Sequence, residues 1–589
     1  MLNVPSQKKT SNLVLSGFKG VDFTSRELNS KRSPNAYNFV INDGEIESRD
    51  GYKTLATFND AINGVWNVDT DNGDRFIVHS GTKLYQTNKN FGEITELIVG
   101  MNECLSRGLY MQGQLFIFDG KRTVVYGKFG DTYMAKFADT IGYIPITRIQ
   151  MLPTGGGEAY EEINMLSMYR INMFCGTKDD TVYCLNEQSL NLNEVYIRKL
   201  TEDGWISLIE NKDFTVNREE GKITFNIAPG ETPVAQEDNI EVKYAKDFQS
   251  DVVNKSDIIT SYGYDGNNNR IFVAKDNYVY YSYQDNPYYF PDRNYIKIGQ
   301  EPIMNFIRTN DGKLGVQKKL SDTDATIYYL TSAIFNGKEV FVLQEGVKTI
   351  GCISKYANAN LINDSLTLTE QGVYAVANNN GEKYALQRDY YVNARLMKEP
   401  NLDKAYAVAV DGRYYLAING NIYIADNRYK SYNKQSKTED YQYEWYFWKD
   451  IPARILFRWN NELYFGTEDG KICNFSNGNL DEIIPVNSYY ETNIMDFGTS
   501  NYTKTVKRVT LASNPIVDSS TTLKYENEDG ESEVLEFDNL PNKFPKVIQQ
   551  KEKIRKFMYL KFIFSNSKDK KMNIKELNID YMFSGRYKG

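Results

Sequence analysis

YGYDGNNNRIFVAKDNYVYYSYQDNPYYFPDRNYIKIGQEPIMNFIRTNDGKLGVQKKLSDTDATIYYL, from Tyr262 to Leu330, carries the pattern that decides the fold. A turn at Asp265 to Asn269 feeds a strand at Arg270 to Ala274, and a second turn at Asp276-Asn277 feeds Tyr278 to Tyr283. A Pro-aromatic loop follows, Asn286 to Asp292. Two strands then flank Asn310-Asp311-Gly312, and another starts near Ala325. β-Branched and aromatic residues alternate between Asp, Asn and Gly turns, the pattern of consecutive antiparallel hairpins.

The same unit recurs along the chain. Phe76 to Val78 and Lys83 to Tyr85 flank Ser80-Gly81-Thr82, and Gln114 to Phe118 and Thr123 to Tyr126 flank Asp119-Gly120. Ile171 to Cys175 and Val182 to Leu185 flank Lys178 to Asp180. Gly372 to Val376, then Arg413 to Ala417 with Ile422 to Ala425, and finally Glu462 to Gly466 with Ile472 to Phe475 continue the series. A repeat of ~40 to 60 residues built from small sheets with two open edges is the signature of a β-propeller, whose ring protects those edges. The expected fold is all-β, a propeller of six or seven blades with two added β-sandwiches. Residues 1–60 read as a lead-in with a short helical turn at Ser33-Pro34 and a capping hairpin about Asn42-Asp43-Gly44. Residues 61–187 and 251–484 read as the propeller, 188–250 as a small sandwich inserted into a blade loop, and 485–589 as a C-terminal sandwich.

Composition agrees. The 589 residues include 45 Tyr and 30 Phe, which favour strands, but one His. The formal charge of −8 argues against a surface that grips nucleic acid throughout. No apolar run is long enough for a membrane span, and MLNVPSQKKTSN has no apolar core for a signal peptide. Of the five cysteines, Cys175 and Cys184 bracket a turn that would place them opposite each other on a hairpin, where the geometry admits a disulfide; reduced core thiols are the expected reading.

No motif in the sequence points to catalysis, a cofactor or a metal. His79 alone would have to serve any Ser-His or Cys-His mechanism, no GxSxG accompanies it, and it reads as structural. Asp69, Asp71, Gly73 and Asp74 superficially resemble a calcium loop, but Gly73 stands at the fifth position and Ser80 at the twelfth. Any two of 77 acidic residues could be nominated as a glycosidase pair, so that signal discriminates nothing. Walker A and dinucleotide fingerprints, the WD dipeptide period and the Ser-x-Asp-x-Gly-x-Thr-Trp sialidase turn are all missing. The aromatic run Tyr441, Tyr443, Trp445, Tyr446, Phe447 and Trp448 reads as core or subunit contact, with a carbohydrate platform as the alternative.

Several segments, in order, resemble the propeller-bearing tail nozzle or hub proteins of short-tailed bacteriophages, including those described as stabilising packaged DNA. These are Phe18-Lys19-Gly20-Val21-Asp22, Ser33 to Asn38, Gly44 to Tyr52, Tyr280-Tyr281-Ser282 with Asn286 to Pro291, Ile296 to Gly299, Leu314-Gly315-Val316, Gly351 to Ser354, and Gln371 to Tyr374. The resemblance implies a structural, non-enzymatic virion protein assembled in the host cytoplasm, with no cofactor. It implies a ring of self-copies, six of them, around the DNA exit channel. The implied partners are the portal and adaptor, fibres or a needle, and genomic DNA that passes without sequence-specific contact. A carbohydrate-binding or carbohydrate-cleaving propeller, or a baseplate or connector ring, is the alternative. The 188–250 insertion departs from the resemblance.

Overall fold

The computed structural model describes residues 10–71, 73–232, 234, 237–247, 251–309, 311–362, 364–379, 382–432, 441–539 and 555–586. Asn72 of the acidic loop and Asn310 of the opening stretch lie outside them. Seven four-stranded antiparallel sheets follow one another along the chain. Blade 1 begins with Ile62–Val68, blade 2 with Arg107–Met111, blade 3 with Ile258–Tyr262 and blade 4 with Ile303–Arg308. Blade 5 begins with Ala359–Leu361, blade 6 with Tyr406–Val410 and blade 7 with Ile455–Trp459. Each of these first strands lies beside the first strand of the next blade, and that of blade 7 returns to that of blade 1. The chain is an all-β, seven-bladed propeller.

The turns are those the sequence demands. At Asn419-Gly420 both residues take positive φ (50° and 75°), and Ile418 then pairs directly with Asn421 across the two-residue hairpin. The ring is closed by a device the sequence reading missed. Blade 7 supplies only three strands in sequence, and its outer strand is Lys53–Thr57, paired with Lys471–Asn474.

The segment before that closing strand is not simply a cap. Thr10–Ser16 pairs with Glu576–Arg586, in a sheet with Tyr502–Ala512 and Arg555–Phe557. Asn35–Tyr37 forms the edge of a second sheet with Ser488–Glu491, Leu560–Asn566, Ser519–Asn527 and Ser532–Asn539. The expected hairpin, Phe39–Asn42 with Glu45–Ser48, forms and takes Asn573–Ile574 as a third strand. The C-terminal sandwich is therefore woven from both ends of the chain. Ser33 sits in a bridge to Val21, not in a helical turn: its N–H donates to the Gly20 carbonyl and its carbonyl accepts from the Asp22 N–H, while its hydroxyl donates to the carbonyl of Glu491.

One continuous apolar core joins this sandwich to blades 5, 6 and 7. Its centre is the outer strand of blade 6, Tyr441–Lys449, where Trp445 is fully buried. Gly20 runs so close to this strand that a Cβ there would meet the Trp445 carbonyl at 2.2 Å, and the Val21 N–H donates to that carbonyl at 2.8 Å.

The insertion begins earlier than the sequence reading placed it. Ile146–Met151, Tyr169–Phe174, Tyr196–Thr201, Gly204–Leu208 and Ile240–Ala245, with the short Glu158–Ala159, form one six-stranded sheet, and Val182–Cys184, Phe214–Asn217 and Lys222–Phe225 form another. So the hairpin expected across Ile171 to Leu185 does not exist. Tyr169–Phe174 pairs parallel with Ile146–Met151 and antiparallel with Ile240–Ala245, and Val182–Cys184 belongs to the other sheet. These two sheets enclose a separate core around Phe174, Tyr183, Phe225 and Tyr244.

Candidate functional site

The first strands of the blades surround a central channel. There Trp66, Ser106, Arg107, Thr260, Ser261, Asn305, Lys355, Tyr356, Asn358 and Tyr406, among others, line a cavity of about 400 Å³. Its lining comes from six successive blades, 1 to 6. Arg107, opening blade 2, donates from Nη1 to Oδ1 of Asn305 in blade 4 at 2.8 Å and from Nη2 to the carbonyl of Lys355, just before blade 5. Asn305 in turn donates to the same carbonyl at 2.8 Å. A register shift between Ile303 and Asn305 interrupts the blade 4 ladder here, and a bulge of this kind re-aims a side chain. Lys355 is paired with Asp257 at 2.6 Å. Tyr356 lies under the Arg107 guanidinium, 4.7 Å from it, and stacks on Tyr406 with ring centres 5.6 Å apart.

The one histidine borders this channel. His79 is fully buried in blade 1, and its Nδ1 meets the Ser106 hydroxyl at 2.8 Å. Burial lowers its pKa to about 4, so the ring is neutral near pH 7 and a weak base. Asp119, which would orient a catalytic imidazole, is occupied by the backbone N–H groups of Asn102, Lys121 and Arg122. The Ser106–His79 pair thus ties blade 1 to the entry of blade 2 and has no triad around it.

Other sequence candidates fall in different places. Asp71 pairs with Lys128 at 2.6 Å, and Thr70 donates to the Gly73 carbonyl at 2.7 Å, so this loop is an exposed turn. Among the described residues no three His, Cys, Asp or Glu converge to hold a metal. Cys175 and Cys184 are free; Cys175 follows the end of Tyr169–Phe174 and contacts Asp238 at 3.3 Å, while Cys184 lies in the other sheet. In the aromatic run, Tyr443, Trp445, Tyr446 and Phe447 are buried in the joint between blade 6 and the sandwich. They form no open platform. Trp445 Nε1 donates to the carbonyl of Arg388, and Trp448 Nε1 to that of Phe39.

The Asn286 to Pro291 loop becomes a clasp. Asn164, from the loop between the Glu158–Ala159 and Tyr169–Phe174 strands of the inserted sheet, accepts from the N–H of Phe290 at 2.8 Å and donates to the carbonyls of Tyr288 and Tyr143 at 2.8 and 2.7 Å. Tyr289 donates from its hydroxyl to the carbonyl of Glu162. The loop therefore holds the stalk of the insertion against blade 3. Open strand edges with exposed apolar residues include two on separate sheets. Gly204–Leu208 ends the inserted six-stranded sheet with Trp205 and Ile206 exposed. Lys338–Glu345 ends blade 4 with Val340 and Val342 exposed, and beside its turn Phe335 is 66% exposed.

None of the channel residues Arg107, Asn305, Lys355 or Asp257 stood out in the sequence. They lie far apart along it and belong to no motif; only the ring brings them together.

Fold and channel together define a seven-bladed β-propeller protein with an interbladed polar brace. No family model and no curated protein matches the chain. Among solved structures, it is similar to apo AztD from Citrobacter koseri at 9% identity and a TM-score of 0.26, covering 75% of this chain and 98% of that one. It is also similar to an exo-β-1,3-galactanase from Phanerochaete chrysosporium, at 8% identity and a TM-score of 0.19, covering 80% and 95%. Hsv2 from Kluyveromyces lactis is similar at 9% identity and a TM-score of 0.24, covering 66% and 99%. At scores this low, the propeller assignment stands on the strand order.

Proposed function

We propose that this chain is a non-catalytic ring subunit, the nozzle or hub at the distal end of a short-tailed phage tail. The observation that carries the reading is the pair of open apolar strand edges on separate sheets of one chain, Gly204–Leu208 and Lys338–Glu345. Left bare, such edges invite uncontrolled pairing. Two different surfaces that need covering are what a head-to-tail, closed ring uses. The ordered sequence segments that resemble nozzle proteins supply the rest of the reading: six copies, a portal and adaptor above, fibres or a needle attached, and a virion location. The ring retains packaged DNA until ejection, and genomic DNA then passes through the lumen without base-specific contact, in keeping with a net charge of −8 that disfavours a tight grip on phosphate.

The test is negative-stain microscopy and native mass spectrometry of the chain, alone and mixed with a short-tailed phage portal and adaptor. A closed ring in either sample is expected. Replacing Trp205 and Ile206 by Glu should convert rings to folded monomers. A chain that stays monomeric with both partners present overturns the proposal.

A further inference from the structure

Arg107 is charged, half-buried, and without a carboxylate partner among the described residues. Its two Nη atoms are held by a side-chain amide and a backbone carbonyl, and its buried Nε has no hydrogen-bond partner. Lys355, the other cation of the lining, is already matched by Asp257, and no lining residue of the cavity is acidic. A guanidinium withdrawn from water with neutral partners is poorly compensated, whereas an oxyanion on it would form charge-assisted hydrogen bonds. The side chain is also fixed in advance, between Asn305, the Lys355 carbonyl and the face of Tyr356, so binding would order little.

The walls narrow the ligand further. Trp66 lies across Gly64 and Gly108: a Cβ on either glycine would come within 2.4 Å of the indole. Those glycines let the ring lie flat against the first strands of blades 1 and 2, and Trp66 also lines the cavity. Thr260 and Ser261, on the first strand of the neighbouring blade 3, also line the cavity. An aromatic platform, hydroxyl partners and one unmatched guanidinium suit a polyhydroxylated ring that carries a carboxylate. A volume of about 400 Å³ lies at the small end of ligand sites and has room for one or two sugar units. We propose that the propeller channel binds an acidic saccharide, a uronic acid or a uronate-containing disaccharide. Its carboxylate lies on Arg107 and its apolar C–H face on Trp66. The site is independent of ring formation, and the failure of one proposal leaves the other standing.

Calorimetric titration with glucuronate and galacturonate, against glucose, galactose and inorganic phosphate, tests this on the full chain. Saturable binding of a uronate is expected, with the neutral sugars weaker by roughly tenfold or more. Arg107→Gln should abolish it but also removes a brace between blades. Ser261→Asp keeps every partner of Arg107 and places a carboxylate in the cavity. With an unchanged Tm it should weaken uronate binding by roughly tenfold or more. Absence of saturable uronate binding at millimolar concentration overturns the proposal. So does equal binding of neutral sugars, binding of phosphate without uronate, or undiminished binding by a folded Ser261→Asp protein.

Discussion

The sandwich and the inserted sheets are both additions to one propeller, yet they are joined to it in opposite ways. The sandwich shares a continuous core with blades 5 to 7, and Tyr443, Trp445, Tyr446 and Phe447 belong as much to it as to their blade. The inserted sheets keep a core of their own, and their attachment is confined to a short segment in which Met165 and Leu166 pack into the core of blades 2 and 3 beside the Asn164 amide in its clasp with Tyr288 and Phe290. A shared apolar core makes two bodies unfold as one. A short clasp fixes direction while leaving each body its own stability.

The largest effect should come from the shared core. Trp445→Ala opens a cavity where blade 6 meets the sandwich and is expected to cost about 3–5 kcal/mol. Chemical denaturation followed by sandwich and blade reporters should show both regions lost in a single transition. A separate early loss of the sandwich would break the comparison.

Next is a pH effect at the same joint. Asp389 is fully buried beside Arg388, whose carbonyl receives Trp445, and burial raises the Asp389 carboxyl to about 6. Because the folded-state value lies above the unfolded one, its contribution is intact below about pH 4 and is lost as pH rises through about 6. Asp389→Asn removes this dependence. The stability of the variant relative to the parent should therefore rise by about 3 kcal/mol between pH 4 and pH 8. A constant difference across that range would show that the carboxyl is not held protonated.

The smallest global effect is predicted for Asn164→Ala. It strands the Phe290 and Leu166 N–H groups and the Tyr143 carbonyl, the Tyr288 carbonyl keeping the Tyr143 N–H, and is expected to cost about 1–3 kcal/mol, read as faster amide exchange around residues 143–166 and 286–291. Exchange within the inserted sheets and the sandwich should stay as it was. A loss of protection in the sandwich would mean that the clasp couples the two additions.

What the sequence reveals follows the range of the signal. Blade hairpins are legible because turn and alternation lie within about twenty residues of each other, as in Arg413 to Ala425. The same local signal misleads at Ile171 to Leu185, where a parallel partner, Ile146–Met151, takes the first strand away from the second. Nothing local marks Lys53–Thr57 as the last strand of blade 7, or Thr10–Ser16 as a strand of the C-terminal sandwich. The channel suffers from the same distance. Arg107, Asn305 and Lys355 form one cluster only after four blades have been laid side by side.

The pairing of Thr10–Ser16 with Glu576–Arg586 has a consequence for synthesis. Of the described strands, the first to be synthesised pairs with the last, and the strand that closes the propeller waits for Lys471–Asn474. While blades 1 to 6 are made the nascent chain therefore carries three strands without their partners, Thr10–Ser16, Asn35–Tyr37 and Lys53–Thr57. Ring closure and sandwich formation come only after blade 6, and a chain cut before Glu576 would leave Thr10–Ser16 without its partner strand.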